Sequence, residues 1–125
     1  MLTILIPCYN EESIIENTAH VLLEWTLKQK FQTEIIFINN NSNDKTAEIL
    51  TKLETKNGIS FTTESIQGKG AAIKKGVQES NFEKILILDA DLSANITESN
   101  KIDFFEDEVL VPVSYTHLRA HETRH

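Results

Sequence analysis

Four short apolar runs, LTILIP (2–7), TEIIFI (33–38), ISFTTE (59–64) and KILIL (84–88), divide the first part of the chain, and the stretches between them carry helical periodicity. Short uninterrupted runs of β-branched residues and leucine read as strands buried on both faces. The stretch SIIENTAHVLLEWTLK (13–28) sets Ile14, Thr18, Leu22 and Trp25 on one helical face, which Ile15 and Val21 widen. KTAEILTKLETK (45–56) turns Ala47, Leu50 and Leu53 inward, with Asn43 or Ser42 as N-cap and Asn57-Gly58 as the stop. KGAAIKKGVQES (69–80) places Ile73 and Val77 on one side, beside Ala72 and Gly76, which are small enough for close approach to a sheet. Strand and helix in strict alternation imply right-handed βαβ units, so the expected fold is α/β, a Rossmann-like parallel sheet with flanking helices.

Sheets of this kind bind ligands beyond the carboxyl ends of their strands, near a topological switch point. The four segments that follow the four strands are CYNEE, NNNSND, QGKG and DADLS. Each is polar or glycine-rich, and together they point to one site rather than to four unrelated loops. A length of 125 residues suits a single domain. The net charge of −7 argues against a nucleic-acid-binding surface. Cys8 is the only cysteine, so no intramolecular disulfide forms and a cytoplasmic setting is expected. No apolar run approaches the roughly 20 residues that cross a bilayer, and the strand-like start after Met1 does not read as a leader.

In DADLS, an extended backbone sets Asp89 and Asp91 on the same side and Ala90 on the other. Two acids at a strand end suit Mg²⁺ or Mn²⁺, which take one or two carboxylates and complete the shell with water and phosphate oxygens. Taken alone, the motif also reads as a turn whose Asp side chains cap the next segment. In QGKGAA (67–72), Lys69 and a helix start both suit an anion, and the glycines also fit a plain tight turn. Neither the P-loop nor the dinucleotide-binding glycine spacing is present. The amides of NNNSND (39–44) are able to read a nucleobase edge, and equally to form a turn and cap. In PCYNEE (7–12), Tyr9 is placed to pack on a base and Glu11 to hold a ribose hydroxyl or the base; the same acids also suit a helix start. Cys8 reads as a small buried residue rather than a nucleophile, and His20 falls on the solvent side of its helix.

IPCYNEE, INNNSNDKT, GKGAAIKKG and LDADLS, in that order over residues 2 to 95, resemble the amino-terminal half of family 2 glycosyltransferases. Within that family the chain is most similar to the branch that transfers sugars to dolichyl or polyprenyl phosphate. The resemblance implies a glycosyltransferase A-type fold, a nucleotide-diphosphate sugar donor and a divalent cation, Mg²⁺ or Mn²⁺. By the same resemblance Pro7, Tyr9, Glu11, Ile38 and Asn40 line the nucleoside pocket, and Lys69 is the glycine-loop lysine. Asp89 and Ala90 match the ribose and diphosphate end, and Asp91 matches the metal-binding acid. The family favours Asp at one or both of the positions held here by Asn39 and Asn40. An amide accepts a base N–H without the charge-assisted gain of a carboxylate. A lipid-phosphate acceptor, at the cytoplasmic face of a membrane, is implied by the branch.

In the family the acceptor site and any catalytic base follow the DAD motif. Here ITESNKIDFFEDE (96–108) reads as a short helix and VLVPV (109–113) as another strand, after which the pattern ends. SYTHLRAHETRH holds His117, His121 and His125 at a spacing that would align on a helix as metal ligands, but no acidic partner supports that reading. It is read instead as a non-native, vector-derived tail over 113–125. Residues 1–112 are then a truncated nucleotide-sugar-binding domain whose fourth strand is left with an apolar edge. The expected function is glycosyl transfer by the longer protein, with this length inactive; the alternative is a nucleotide-sugar-binding fragment without turnover. A phosphorylation-receiver domain shares the α/β pattern, but it wants a phosphorylatable Asp after the third strand, where this chain has SIQGKG.

Overall fold

The computed structural model describes residues 1–54, 58–92 and 114–117. Strand β1 (Leu2–Cys8) leads to helix α1 (Ile15–Leu27), β2 (Thr33–Asn39), α2 (Thr46–Leu53), β3 (Ile59–Thr63), α3 (Lys69–Glu79) and β4 (Lys84–Ile87). A single 3₁₀ turn over Ala90–Leu92 follows, and β5 (Ser114–His117) is the last element described. The sheet order is β3-β2-β1-β4-β5. The first four strands run parallel, and β5 pairs antiparallel with β4, Ile87 opposite Ser114 and Lys84 opposite His117.

The chain moves outward from β1 to β3 with α1 and α2 on one face, then returns past β1 to β4 with α3 on the other. Right-handed crossovers demand this change of face when the direction of travel reverses. The switch point therefore lies between β1 and β4. On the α1/α2 face, Leu2, Ile4, Ile6, Ile35, Phe37 and Leu86 pack against Ile15, Leu22, Trp25 and Leu50. Leu22 and Trp25 are almost wholly buried, and each such side chain contributes about 1.5–3 kcal/mol. The opposite face, Leu5, Ile36, Ile38, Ile85 and Ile87, meets only Ala72, Ile73 and Val77 of α3.

Gly76 sets how closely α3 lies on that face. A β-carbon there would stand 2.8 Å from Ile38 Cδ1 and 3.0 Å from Leu5 Cδ1. Glycine within a helix costs about 0.5–1 kcal/mol relative to alanine, and the helix accepts that because a methyl at this point has no room. The inward residues differ slightly from the sequence expectation. Thr46 rather than Ala47 is fully buried on α2, and Ala19 joins Thr18 on α1 while Ile14 is only partly buried.

Two expectations are corrected. The edge of β4 is not open, because the main chain of Ser114–His117 pairs with it. That strand lies inside the segment assigned to a non-native tail, and it puts His117 in extended chain rather than on a helix with His121 and His125. Neither Ser42 nor Asn43 caps α2; the N-cap position is Lys45, without a side-chain cap bond, and Asp44 just before it bonds the first helical residue, its Oδ1 accepting from the Thr46 N–H at 2.9 Å and the Thr46 hydroxyl at 2.6 Å. The helix and strand expected over 96–113 lie outside the described residues, as do His121 and His125.

Candidate functional site

Pro7 marks where the crevice opens. The Leu5 carbonyl accepts from the Leu88 N–H, while the Cys8 carbonyl accepts from Asn40 N–H on the opposite side. Backbone groups alternate sides along a strand, so Pro7 turns toward β4. Pairing of β1 with β4 ends at Leu5 and Ile87, whereas pairing with β2 continues to Cys8 and Asn39. The N–H that proline lacks is thus missing where β4 has already parted from β1. Cys8 beside it is buried, donates to the Ile6 carbonyl at 3.1 Å, and has its thiol pushed well up by burial and by the Glu11 charge. It is not poised as a nucleophile.

The loops after β1 and β2 interlock. Asn10 and Asn41 both adopt left-handed backbone, at φ 52° and 61°, a conformation that asparagine tolerates better than most residues. The Asn10 N–H donates to Ser42 Oγ at 3.0 Å, and Asn10 Oδ1 accepts from the Asn43 N–H at 2.7 Å. Thr46 Oγ1 accepts from the Glu11 N–H at 2.9 Å, and Asp44 Oδ2 accepts from the Glu12 N–H at 3.2 Å. Asn39 Oδ1 accepts from the Ser42 N–H at 3.1 Å. Desolvation works against ionisation of Asp44, but the bonds from Thr46 and the Glu12 N–H hold its carboxyl below the usual range.

A third loop closes on this pair through Asn40, which is buried. Its Nδ2 donates to the carbonyls of Glu64 at 3.1 Å and Ile66 at 2.7 Å, and its Oδ1 accepts from the Gly68 N–H at 2.9 Å. Gln67 Nε2 returns a bond to the Asn40 carbonyl at 3.1 Å. Gly68 stands at φ 129°, where a side chain is strained, and from it α3 begins with Lys69. Lys69 Nζ lies 2.8 Å from Asp89 Oδ1, both side chains half exposed.

The segment after β4 is not extended, contrary to the alternation expected for Asp89 and Asp91. Thr18 Oγ1 donates to the Ala90 carbonyl at 2.7 Å, and the chain turns there in its 3₁₀ turn. Ala90 is buried, Asp89 half-buried and Asp91 exposed. The Glu11 carboxyl is harder to ionise than usual, first through desolvation and then through the charges of Asp91, Asp44 and Asp89. Four acids from three loops therefore share one end of the sheet.

Of the residues singled out from sequence, Pro7, Tyr9, Glu11, Lys69, Asp89, Ala90 and Asp91 lie on the segments bordering this crevice. Tyr9 is 44% exposed, its hydroxyl 3.5 Å from Asn43 Nδ2. Ile38 is different, because its side chain is wholly buried in the core beneath α3 and is not open to a ligand. Asn40 is different again, since the carboxamide expected to read a base is engaged inside the chain. Thr18, Thr46 and Gln67 were not singled out. Thr18 alone left a trace, as a hydroxyl on an otherwise apolar helical face.

A divalent cation fits the residues present. Asp91 offers exposed carboxylate oxygens that carry no ion pair among the described residues. Glu11 and Asp89 add negative charge nearby. Among the described residues no three His, Cys, Asp or Glu side chains form a ready metal cage. A cation here would take one or two carboxylates and complete its shell from substrate oxygens, as Mg²⁺ commonly does.

Comparison with known proteins agrees with the fold. Poly-beta-1,6-N-acetyl-D-glucosamine synthase of Staphylococcus aureus is 35% identical over 91 residues, covering 72% of this chain and 21% of that protein. The chain thus spans about a fifth of the length of the curated relatives it matches. Mannosyltransferase PcManGT from Pyrobaculum calidifontis, solved with GDP-Man and Mn²⁺, superposes with a TM-score of 0.63 at 25% identity, over 72% of this chain and 27% of that one. S. aureus TarS 1-349 in complex with UDP-GlcNAc shares the fold, with a TM-score of 0.56 at 22% identity over 78% of this chain and 31% of that one. The family model described as Glycosyl transferase family 2 matches residues 3–102, and with most of its length so matched the chain belongs to that family.

Proposed function

We propose that the chain is the donor-binding half of a glycosyltransferase, which takes a nucleotide-diphosphate sugar and passes the sugar to an acceptor. The observation that carries this reading is the meeting of Lys69 and Asp89 at 2.8 Å, beside exposed Asp91, at the mouth of the β1/β4 crevice. An ammonium at the start of a helix suits a diphosphate. Asp91 would hold Mg²⁺ or Mn²⁺, and when bound the cation neutralises the charge that develops on the departing diphosphate. Lys69 exchanges Asp89 for a diphosphate oxygen, and Asp89 and Ala90 border the ribose and diphosphate. Pro7 and the exposed ring of Tyr9 flank the nucleoside, and Glu11 accepts from a ribose hydroxyl or the base.

The acceptor divides into two chemistries. A polyprenyl phosphate, favoured by the order of motifs, is already an anion and needs little general-base help. A saccharide hydroxyl, favoured by the names of the relatives, requires a base to take its proton. The donor-binding loops lie within residues 1–112, with Ser114–His117 adding only an edge strand to the sheet, and the unit is placed at the cytoplasmic face of a membrane when the acceptor is a lipid phosphate. Calorimetry with UDP-GlcNAc and GDP-mannose, each with Mn²⁺ or with EDTA, tests the donor reading. Metal-strengthened binding of one of them is expected, and binding of neither would overturn it. Release of nucleoside diphosphate with polyprenyl phosphate or with an oligosaccharide assigns the acceptor.

A further inference from the structure

We infer that Asn40 is a positioning residue that works through Lys69, by clamping the Glu64–Gly68 loop to the end of β2, and that it does not read the nucleobase. This rests on the donor reading above only where Lys69 is said to meet the diphosphate. The clamp itself stands on geometry. Three bonds run from one carboxamide into that loop: Nδ2 to the Glu64 and Ile66 carbonyls, and Gly68 N–H to Oδ1. Both hydrogens of the amide are used, and the residue is buried. Gln67 Nε2 closes the loop from the other side, on the carbonyls of Asn40 at 3.1 Å and Asn41 at 3.3 Å. The Glu64 N–H also bonds the Asn39 carbonyl at 2.9 Å, but past that point packing adds little, for Ile66 is 66% exposed and Gly68 packs against nothing within 4 Å of its would-be β-carbon.

The chemistry of the clamp selects an amide over an acid. Two acceptors on the loop face a donor at Nδ2, and one donor on the loop faces an acceptor at Oδ1. A carboxylate of the same shape satisfies only the Gly68 N–H and sets a negative oxygen against two carbonyls. Asn40→Asp is therefore a disruptive change here. What the clamp governs is the first turn of α3. The Ala72 N–H bonds the Gly68 carbonyl at 3.2 Å, and Lys69 lies between them, aimed at Asp89. A loop free to drift carries that ammonium with it.

The test compares Asn40→Asp, Lys69→Ala and the double substitution in the full chain, with Asn40→Ala as the second variant should the aspartate fail to fold. Amide hydrogen exchange without ligand is read at Gly68 and Ala72. The clamp predicts acceleration there of about tenfold or more, as expected when a local bonded unit opens independently of the core, with β1 amides unchanged. Unchanged exchange at Gly68 overturns it. Affinities for UDP and GDP, each with Mn²⁺, are then measured for all variants. If Asn40 acts through Lys69, the two losses do not multiply, and the double substitution is no weaker than Lys69→Ala alone. Losses that multiply in full mean that Asn40 touches the nucleotide itself, and the proposal falls. Should the unsubstituted chain bind neither probe, the donor reading fails, while the exchange measurement still decides the clamp.

Discussion

Two sides of the same crevice are built on opposite plans. On the β1–β2–β3 side, Asn10, Asn39, Asn40, Ser42, Asp44, Thr46 and Gln67 bond one another or the main chain of a neighbouring loop. On the β4 side, Asp89 has one half-exposed ion pair, and Asp91 has none among the described residues. The contrast follows from the groups used. Neutral amides and hydroxyls both donate and accept, so they satisfy each other at close quarters with little desolvation penalty, and the one carboxylate among them, Asp44, is bonded by Thr46 and the Glu12 N–H. Carboxylates only accept and repel one another; the Glu11 carboxyl is raised first by desolvation and then by the charges of Asp91, Asp44 and Asp89. One side is thus finished before any ligand arrives, and the other is left for a cation to finish.

The sharpest way to break this contrast is to remove the unfinished charge. Asp91→Asn should abolish metal-dependent strengthening of nucleotide binding, a loss of about 100-fold or more, since even a supporting partner of a metal ligand is worth 10–100-fold. Its melting temperature should stay near that of the unsubstituted chain, because the side chain is exposed. Calorimetry with UDP or GDP, with Mn²⁺ and with EDTA, checks the first part and thermal melting the second. Equal binding in EDTA would show that no cation sits at Asp91.

The finished side should answer the other way. Thr46→Val keeps the shape of a fully buried side chain and leaves the Glu11 N–H without its acceptor. It should lower unfolding stability by about 1–3 kcal/mol, the usual penalty for an orphaned buried polar group. Urea titration at pH 7 measures it. A change in nucleotide affinity with stability intact would mean that Thr46 belongs to the ligand rather than to the loops.

The smallest effect concerns Glu11. Its carboxyl titrates above the ordinary glutamate value in the folded chain, so its ionisation opposes folding. Stability from this group is fully present below the unfolded value and is lost as pH rises through the folded one. Glu11→Gln should remove that part of the slope and leave the chain slightly more stable at neutral pH. Urea midpoints over the acid range, for both forms and without metal, show whether it does. A slope unchanged by the substitution would place the repulsion elsewhere.

Strands and helices were legible in the sequence because their signal is local. Apolar runs became β1 to β4 with ends moved by a residue at most, and the order of elements alone implied a parallel sheet. The crevice was legible too, since every strand in such a sheet delivers its following loop to the same end. What escaped is non-local. Nothing in DADLS reveals that Thr18, on a helix far back in the chain, turns the backbone by taking the Ala90 carbonyl. Likewise, INNNSND does not say that the glycine loop will fold back onto Asn40. An asparagine able to read a base and one able to hold a loop look alike until the partner is in view.

Gly76 gives α3 the mechanics of a lever. Its bare α-carbon rests on Leu5 and Ile38 as on a fulcrum, and Lys69, at the other arm, stands about two turns away, roughly 10 Å along the axis. A tilt of a few degrees about that point, too slight to disturb the strands beneath, sweeps the ammonium through a distance comparable to the slack in a hydrogen bond. The spacing between cation and acid at the crevice mouth is therefore set partly by the absence of a methyl group in the middle of the opposite face of the sheet.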